Sequence, residues 1–205
     1  MNPFLTIWSR PKETLQYILD QKTVGYAILL VVLGALANSV MGAADSGLFG
    51  DLPLIAILVI LFGGAILISL FSWGLTTMLY TLVGKMLGGN GTMSNVGKVV
   101  GTATLPGLWL APFNLVMLIV YGRDLFAEPE YFQLTVMPIA IYIIYNLVML
   151  GISVYSIVIQ SMGLGLAHGF SSLRGFGVIA IVLRFVFIIA FIIIFTIISF
   201  FIFNF

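Results

Sequence analysis

The few side chains that could support chemistry are scattered along a very apolar chain. His168 is the only histidine and there is no cysteine, so a histidine or thiolate metal site and a cysteine nucleophile are not expected. A serine nucleophile would need His168 as its base, but no Gly-x-Ser-x-Gly sequence occurs. The sequence therefore predicts a protein that is not an enzyme and has no catalytic residue, cofactor or metal. We expect His168 to be an ordinary residue at the membrane interface.

The segment 84–98, GKMLGGNGTMSNVGK, contains the glycines that a phosphate-binding loop would use. Such a loop closes with Gly-Lys-Ser/Thr, because a lysine and a hydroxyl must reach the phosphates and Mg²⁺. Here Gly91 is followed by Thr92 and Met93, so the segment is interpreted as a flexible turn between two helices.

The composition determines the environment of this chain. Of its 205 residues, 61% are hydrophobic and 7% are charged, and the mean hydropathy is +1.22. Soluble domains are about 45–50% apolar and about 25% charged, so lipid must cover the excess apolar surface. The eight basic residues are scattered, and nucleic acid is therefore not an expected partner.

Five apolar runs are long enough to cross a bilayer, which takes about 20 helical residues. They cover residues 24–44, 54–83, 99–121, 134–166 and 178–203. The runs do not alternate in polarity, so they predict helices rather than barrel strands. The expected fold is all-α, a polytopic bundle with about five transmembrane helices, four or six being the alternatives. Charges interrupt residues 1–23, which are therefore not a signal peptide.

The positions of the charged residues predict the orientation. With a cytosolic N-terminus, every lysine and arginine except Arg123 lies on the cytosolic side, and five of the seven acidic residues lie outside. Short loops rich in lysine and arginine stay in the cytosol. We therefore expect a multi-pass protein of the bacterial cytoplasmic membrane with an extracytoplasmic C-terminus.

A short amphipathic helix is predicted over residues 12–22. Leu15, Ile18 and Leu19 share its apolar face, and Trp8 ends an apolar cluster just before it. Such a helix can lie on the cytosolic leaflet. A cytosolic extension packed against the bundle fits the pattern equally well.

Polar and kinking residues within the spans are the other candidate site positions. Pro106 and Pro112 should kink the third span and free backbone carbonyls, and Asn38, Asn114 and Asn146 lie at membrane depth. Broken helices line binding sites in transporters, whereas amides also hold simple bundles together. Both interpretations remain open.

Three segments resemble the bacterial branch of the Yip1 family. They are the opening NPFLTIW of residues 2–8 with RPKET of residues 10–14, GGNGTMS of residues 88–94, and ATLP of residues 103–106. The resemblance implies a five-span protein without a known catalytic centre that acts through other membrane proteins. Some bacterial relatives accompany ABC-type exporters and protection against membrane-active peptides, so an exporter is an implied partner. The Asp-Leu-Tyr-Gly-Pro motif and long tail of eukaryotic relatives are missing, and their Rab-GTPase and trafficking roles are not expected.

The leading functional hypothesis is an accessory or scaffold protein that contacts lipid and another membrane protein. A small-solute transporter or channel is the first alternative, and a membrane-shaping protein is the second. A homo-oligomer is compatible with each of the three.

The orientation can be tested with single cysteines, because the chain has none of its own. In intact cells, an impermeant maleimide should label Leu48→Cys, which lies in an outer loop, and should spare Thr92→Cys. Lysed cells supply the control, since both positions should then react. Labelling of Thr92→Cys alone in intact cells would show that the orientation is the reverse of the predicted one.

Overall fold

The computed structural model describes the backbone of residues 1–204 and the side chains of residues 1–199. Within these residues all regular structure is helical, which confirms the predicted fold class. The α-helices are α1 (Pro3–Ser9), α2 (Pro11–Gln21), α3 (Val24–Gly42), α4 (Leu54–Met86), α5 (Met93–Thr102), α6 (Ala111–Tyr121), α7 (Ile139–His168) and α8 (Ser172–Asn204). Two 3-10 helices, Pro106–Leu110 and Gly122–Phe126, flank α6.

Five stretches of the described chain are long and apolar enough to cross a membrane, as predicted. They are Val24–Gly42, Leu54–Met86, Met93–Phe126, Ile139–His168 and Ser172–Ser199. The third and fifth begin before the predicted residues 99 and 178, because helix continues into more polar sequence at the end of the bundle that holds the N-terminal segment. We name this end the inner end and the opposite one the outer end. The protein is therefore a multi-pass membrane protein.

Helices α4 and α7, like the 33-residue α8, are longer than a bilayer is thick. Helix α4 has 33 residues and α7 has 30, which at a rise of 1.5 Å per residue gives about 50 and 45 Å. The hydrocarbon layer is about 30 Å thick. Gly63 and Gly64 do not interrupt α4. Both helices must therefore tilt or extend past the bilayer as helix.

The third span is divided at its prolines. Helix α5 ends at Thr102, and Pro106 is the first residue of the 3-10 helix that follows. Pro112 lies in the first turn of α6, where its missing N–H leaves no helical hydrogen bond unmade. Thr104 lies between α5 and the 3-10 helix, and its hydroxyl donates a hydrogen bond of 3.1 Å to the carbonyl oxygen of Leu30. The break therefore also joins the third span to α3.

Packing is dense at two levels and sparse between them. Two apolar clusters lie at the inner end, where α5 contacts α2, α3, α4 and α7. A third lies at the outer end around Leu125 and Phe126. Between these levels much of α4 and α7 is exposed, and so is every residue from 183 to 198 in α8. These surfaces face lipid or a partner.

Glycines permit the close contacts at the inner end. A Cβ placed on Gly101 would lie 2.7 Å from both the Cβ atom and the carbonyl oxygen of Ala27. One placed on Gly163 would meet Val99, and one on Gly175 would collide with the backbone of Ser161. Small residues of this kind let membrane helices approach to backbone contact.

Gly101→Ala should destabilise the bundle by about 1–3 kcal/mol, because the backbone of Ala27 cannot move without separating α3 from α5. Gly63→Ala is the matched control, since nothing lies within 4 Å of its added methyl group. Thermal or sodium dodecyl sulfate unfolding in detergent micelles measures both. Equal stability of the two variants would contradict the close contact.

Candidate functional site

The N-terminal segment forms a helical hairpin at the inner end of the bundle. Asn2 caps α1 by accepting a hydrogen bond from the backbone N–H of Phe4, and Pro3 takes the first helical position. The hydroxyl of Thr14, in α2, lies 2.8 Å from that of Thr6, in α1. Helix α2 matches the helix predicted over residues 12–22 to within one residue at each end, and α1 precedes it as a second short helix that was not predicted.

The apolar face of α2 contacts protein rather than lipid. Leu15 and Ile18 are each 1% exposed and pack in an inner cluster with Ile159 of α7. Leu19 is half-buried, and its carbonyl oxygen accepts a hydrogen bond from the Lys98 ammonium at 2.9 Å. Of the two interpretations of this helix, the structure shows packing against the bundle.

Helix α1 reaches the middle of the third and fourth spans. Phe4 stacks on Trp109 with ring centroids 4.8 Å apart, and Trp8 stacks on Tyr155 at 5.0 Å. The Tyr155 hydroxyl donates a hydrogen bond of 2.7 Å to the carbonyl oxygen of Ile7. Trp8 thus belongs to α1, and its ring is fixed by α7 instead of lying free at the interface.

Two of the candidate asparagines meet at the contact between α3 and the third span. Asn114 is 1% exposed and donates a 2.8 Å hydrogen bond to the carbonyl oxygen of Ala37. Asn38 donates to the carbonyl oxygen of Gly34 in its own helix and lies beside Gly107, within the break. Both side-chain oxygens are buried without a partner among the described residues. These amides therefore mark the contact near Pro106 and Pro112.

Asn146 lies apart from this group. It is exposed on α7 and donates only to the carbonyl oxygen of Tyr142, one turn earlier. Ser153 and Gln160 follow at intervals of seven residues, which places all three on one face of the helix. At the inner end this face meets α4, where the Tyr80 hydroxyl lies 3.2 Å from Oε1 of Gln160. The candidate polar residues therefore do not line one common path.

His168 is buried, and the expectation that it is an ordinary interface residue is wrong. It is 2% exposed. The backbone N–H of Gly91 donates to its Nδ1 at 3.1 Å, and the N–H of Asn90 donates to its carbonyl oxygen at 3.2 Å. The ring of Phe170 stacks on the imidazole, with centroids 5.2 Å apart. Since Nδ1 accepts a hydrogen bond, the neutral ring carries its proton on Nε2.

Three glycines form the cavity that holds the imidazole. A Cβ placed on Gly84, Gly89 or Gly91 would collide with the ring, at 2.6 Å from Nδ1 for Gly89 and 2.7 Å for Gly91. We call His168 with these glycines the histidine cradle. Segment 84–98, which was predicted to be a flexible turn, thus contains a loop that runs from α4 to α5 and packs around the end of α7. The cradle resembles no catalytic arrangement, because within the described chain no acid or nucleophile hydrogen-bonds to the ring.

Comparison with known protein families gives a match over nearly the whole chain. The family model for the Yip1 domain matches residues 5–201. The chain belongs to the Yip1 family. No curated protein and no solved structure matches it.

In this Yip1-domain protein, the three segments that carry the resemblance all lie in the inner half. Residues 2–8 form α1 and its cap, residues 88–94 contain the histidine cradle loop, and residues 103–106 form the break in the third span. These segments thus take part in the inner packing of the bundle. Nothing in the sequence linked His168 to the loop, since the two are 77 residues apart.

His168→Ala should loosen the cradle loop. The loss of a buried ring and of the Gly91 hydrogen bond costs about 1–3 kcal/mol, so trypsin should cleave after the exposed Lys85 at least about fivefold faster in detergent. Ser94→Ala, an exposed change in the same region, is the control and should leave the rate unchanged. An unchanged rate for His168→Ala would show that the ring does not hold the loop.

Proposed function

We propose that this protein is a non-enzymatic accessory or scaffold protein that acts by binding another membrane protein within the bilayer. The observation that carries the proposal is the exposure of Asn146 within a membrane span, about two turns from the start of α7. An amide facing hydrocarbon is costly, and such groups are commonly used as hydrogen-bonding contacts between helices. Its oxygen is an acceptor that lipid tails cannot satisfy.

The face around Asn146 is suited to a helical partner. Ser153 lies two turns further along the same face and is also exposed. The opposite side of α7 carries Tyr155, which contacts α1. The polar face is therefore the side that the N-terminal hairpin leaves uncovered, and it continues outward beyond the contact between Gln160 and Tyr80.

Neighbouring helices leave room for a partner at this level. The outer part of α8 is exposed on all sides from residue 183 to 198, and Leu67, Ile68 and Phe71 of α4 are about 70% exposed. These side chains are large and apolar, so they supply contact area without fixing a register. The amide and hydroxyl of α7 would fix the register of an approaching helix.

The alternative functions have less support. A transporter path would need the candidate amides on one surface, whereas Asn114 lies at the contact with α3 and Asn146 lies on α7. Membrane shaping through α2 would need Leu15 and Ile18 in lipid, and both are buried in protein. The Yip1 resemblance makes an ABC-type exporter the first partner to test, in the cytoplasmic membrane and with the N-terminus in the cytosol.

A photocrosslinking amino acid placed at Ser153 tests the proposal in native membranes. We expect a discrete adduct with one membrane protein, identified by mass spectrometry. Asn146→Leu should reduce the yield by a factor of about 3 to about 18, because an interhelical hydrogen bond in lipid contributes about 0.6–1.7 kcal/mol.

The matched control is a crosslinker at Val148, which is 45% exposed on the other side of α7 and should not give that adduct. Adducts with lipid alone at Ser153, or the same protein adduct at both positions, would refute the proposed surface. An adduct with a second copy of the chain would show that the partner is this same protein and that it forms a homo-oligomer.

A further inference from the structure

A lateral groove lies between α3 and the third span. Its volume is about 550 Å³. Apart from Tyr26 and Asn114, the residues that line it are apolar. Leu33 of α3 is 43% exposed and Leu115 of α6 is 56% exposed, so the groove opens sideways into the hydrocarbon layer. Phe4 of α1 also lines it and is held there by its stack on Trp109.

One face of α3 forms the length of the groove. Tyr26, Leu30, Leu33, Ala37 and Val40 all line it, and their spacing of four and three residues places them on a single helix face. From Tyr26 to Val40 the helix rises about 21 Å. One leaflet of hydrocarbon is about 15 Å thick, half of the whole layer. The groove is thus long enough for one extended acyl chain of the inner leaflet.

A cation lies at the inner end of the groove. The Lys22 ammonium is 5.2 Å from the ring centroid of Tyr26 and 5.6 Å from that of Tyr17. Tyr26 is also the groove residue nearest the start of α3. The two rings hold the ammonium by cation–π attraction, and this places a positive charge where a lipid headgroup would lie.

That charge has no carboxylate partner within the described part of the chain. Asp20 is the closest acidic residue in sequence, and both of its oxygens accept from Nε2 of Gln16 at 3.0 Å. Its carboxylate is therefore engaged along α2. An anionic headgroup would complement the ammonium, whereas a zwitterionic one would also bring its own cation there.

We infer that this groove binds one anionic phospholipid of the inner leaflet, with an acyl chain along α3 and its phosphate beside Lys22. The inference goes beyond the proposed function, since it concerns a surface away from the polar face of α7 and needs no protein partner.

The test is native mass spectrometry of the delipidated full chain in detergent, titrated with dioleoylphosphatidylglycerol or dioleoylphosphatidylcholine. We expect one phosphatidylglycerol to bind about fivefold more tightly than phosphatidylcholine, as one lysine beside an anionic headgroup contributes about 1 kcal/mol. Lys22→Gln should abolish the preference and keep the phosphatidylcholine affinity. Lys12→Gln, an exposed change on α2, is the matched control and should keep the preference.

Ala37→Phe places a large side chain in the groove and should therefore remove binding of both lipids. Thermal unfolding checks that each variant is folded, and Leu33→Trp at the open edge replaces Ala37→Phe if that variant is not. Free glycerol 3-phosphate should not compete, because it has no chain.

Equal binding of the two lipids by the unchanged protein would overturn the inference. So would full binding by the folded groove-filling variant or competition by glycerol 3-phosphate. Each of these results leaves the crosslinking at Ser153 unaffected, so the two proposals fail separately.

Discussion

Contact between helix backbones at glycine positions holds the inner half of this protein together. Lipid tails are as apolar as the side chains they surround, so burial gives membrane helices little drive to associate, and close packing must supply it. Gly101 lies against Ala27, Gly163 against Val99 and Gly175 against the backbone of Ser161. These contacts bring α3, α5, α7 and α8 together. The N-terminal hairpin packs against these helices, and the histidine cradle lies at the end of one of them, α7.

The position of this packing also explains where the two proposed binding surfaces lie. Because packing is concentrated at the inner end and around Phe126 at the outer end, the middle of the bundle is left open to its surroundings. Polar side chains on α7 and an apolar groove beside α3 are both exposed at this level. A protein with few charges and small loops thus has most of its recognisable chemistry inside the bilayer.

The sequence was sufficient for the number and type of the spans, because runs of about 20 apolar residues leave no other structure possible in lipid. It also indicated the proline break in the third span. It did not show the contacts of Leu15 and Ile18, since an amphipathic face fits lipid and protein equally well. His168 was misplaced for a related reason: a single histidine at a helix end shows its surroundings only when the distant loop containing Gly89 and Gly91 is placed around it.

The hydrogen bond between Tyr155 and Ile7 joins residues 148 positions apart, and this distance constrains the order of assembly. Helix α1 is synthesised long before α7, so the carbonyl of Ile7 is without the Tyr155 hydroxyl, and Leu15 and Ile18 are without Ile159, until the fourth span has been inserted. During that interval these apolar side chains have only the contacts that the earlier helices supply. The N-terminal hairpin is therefore completed only after most of the membrane bundle is in place.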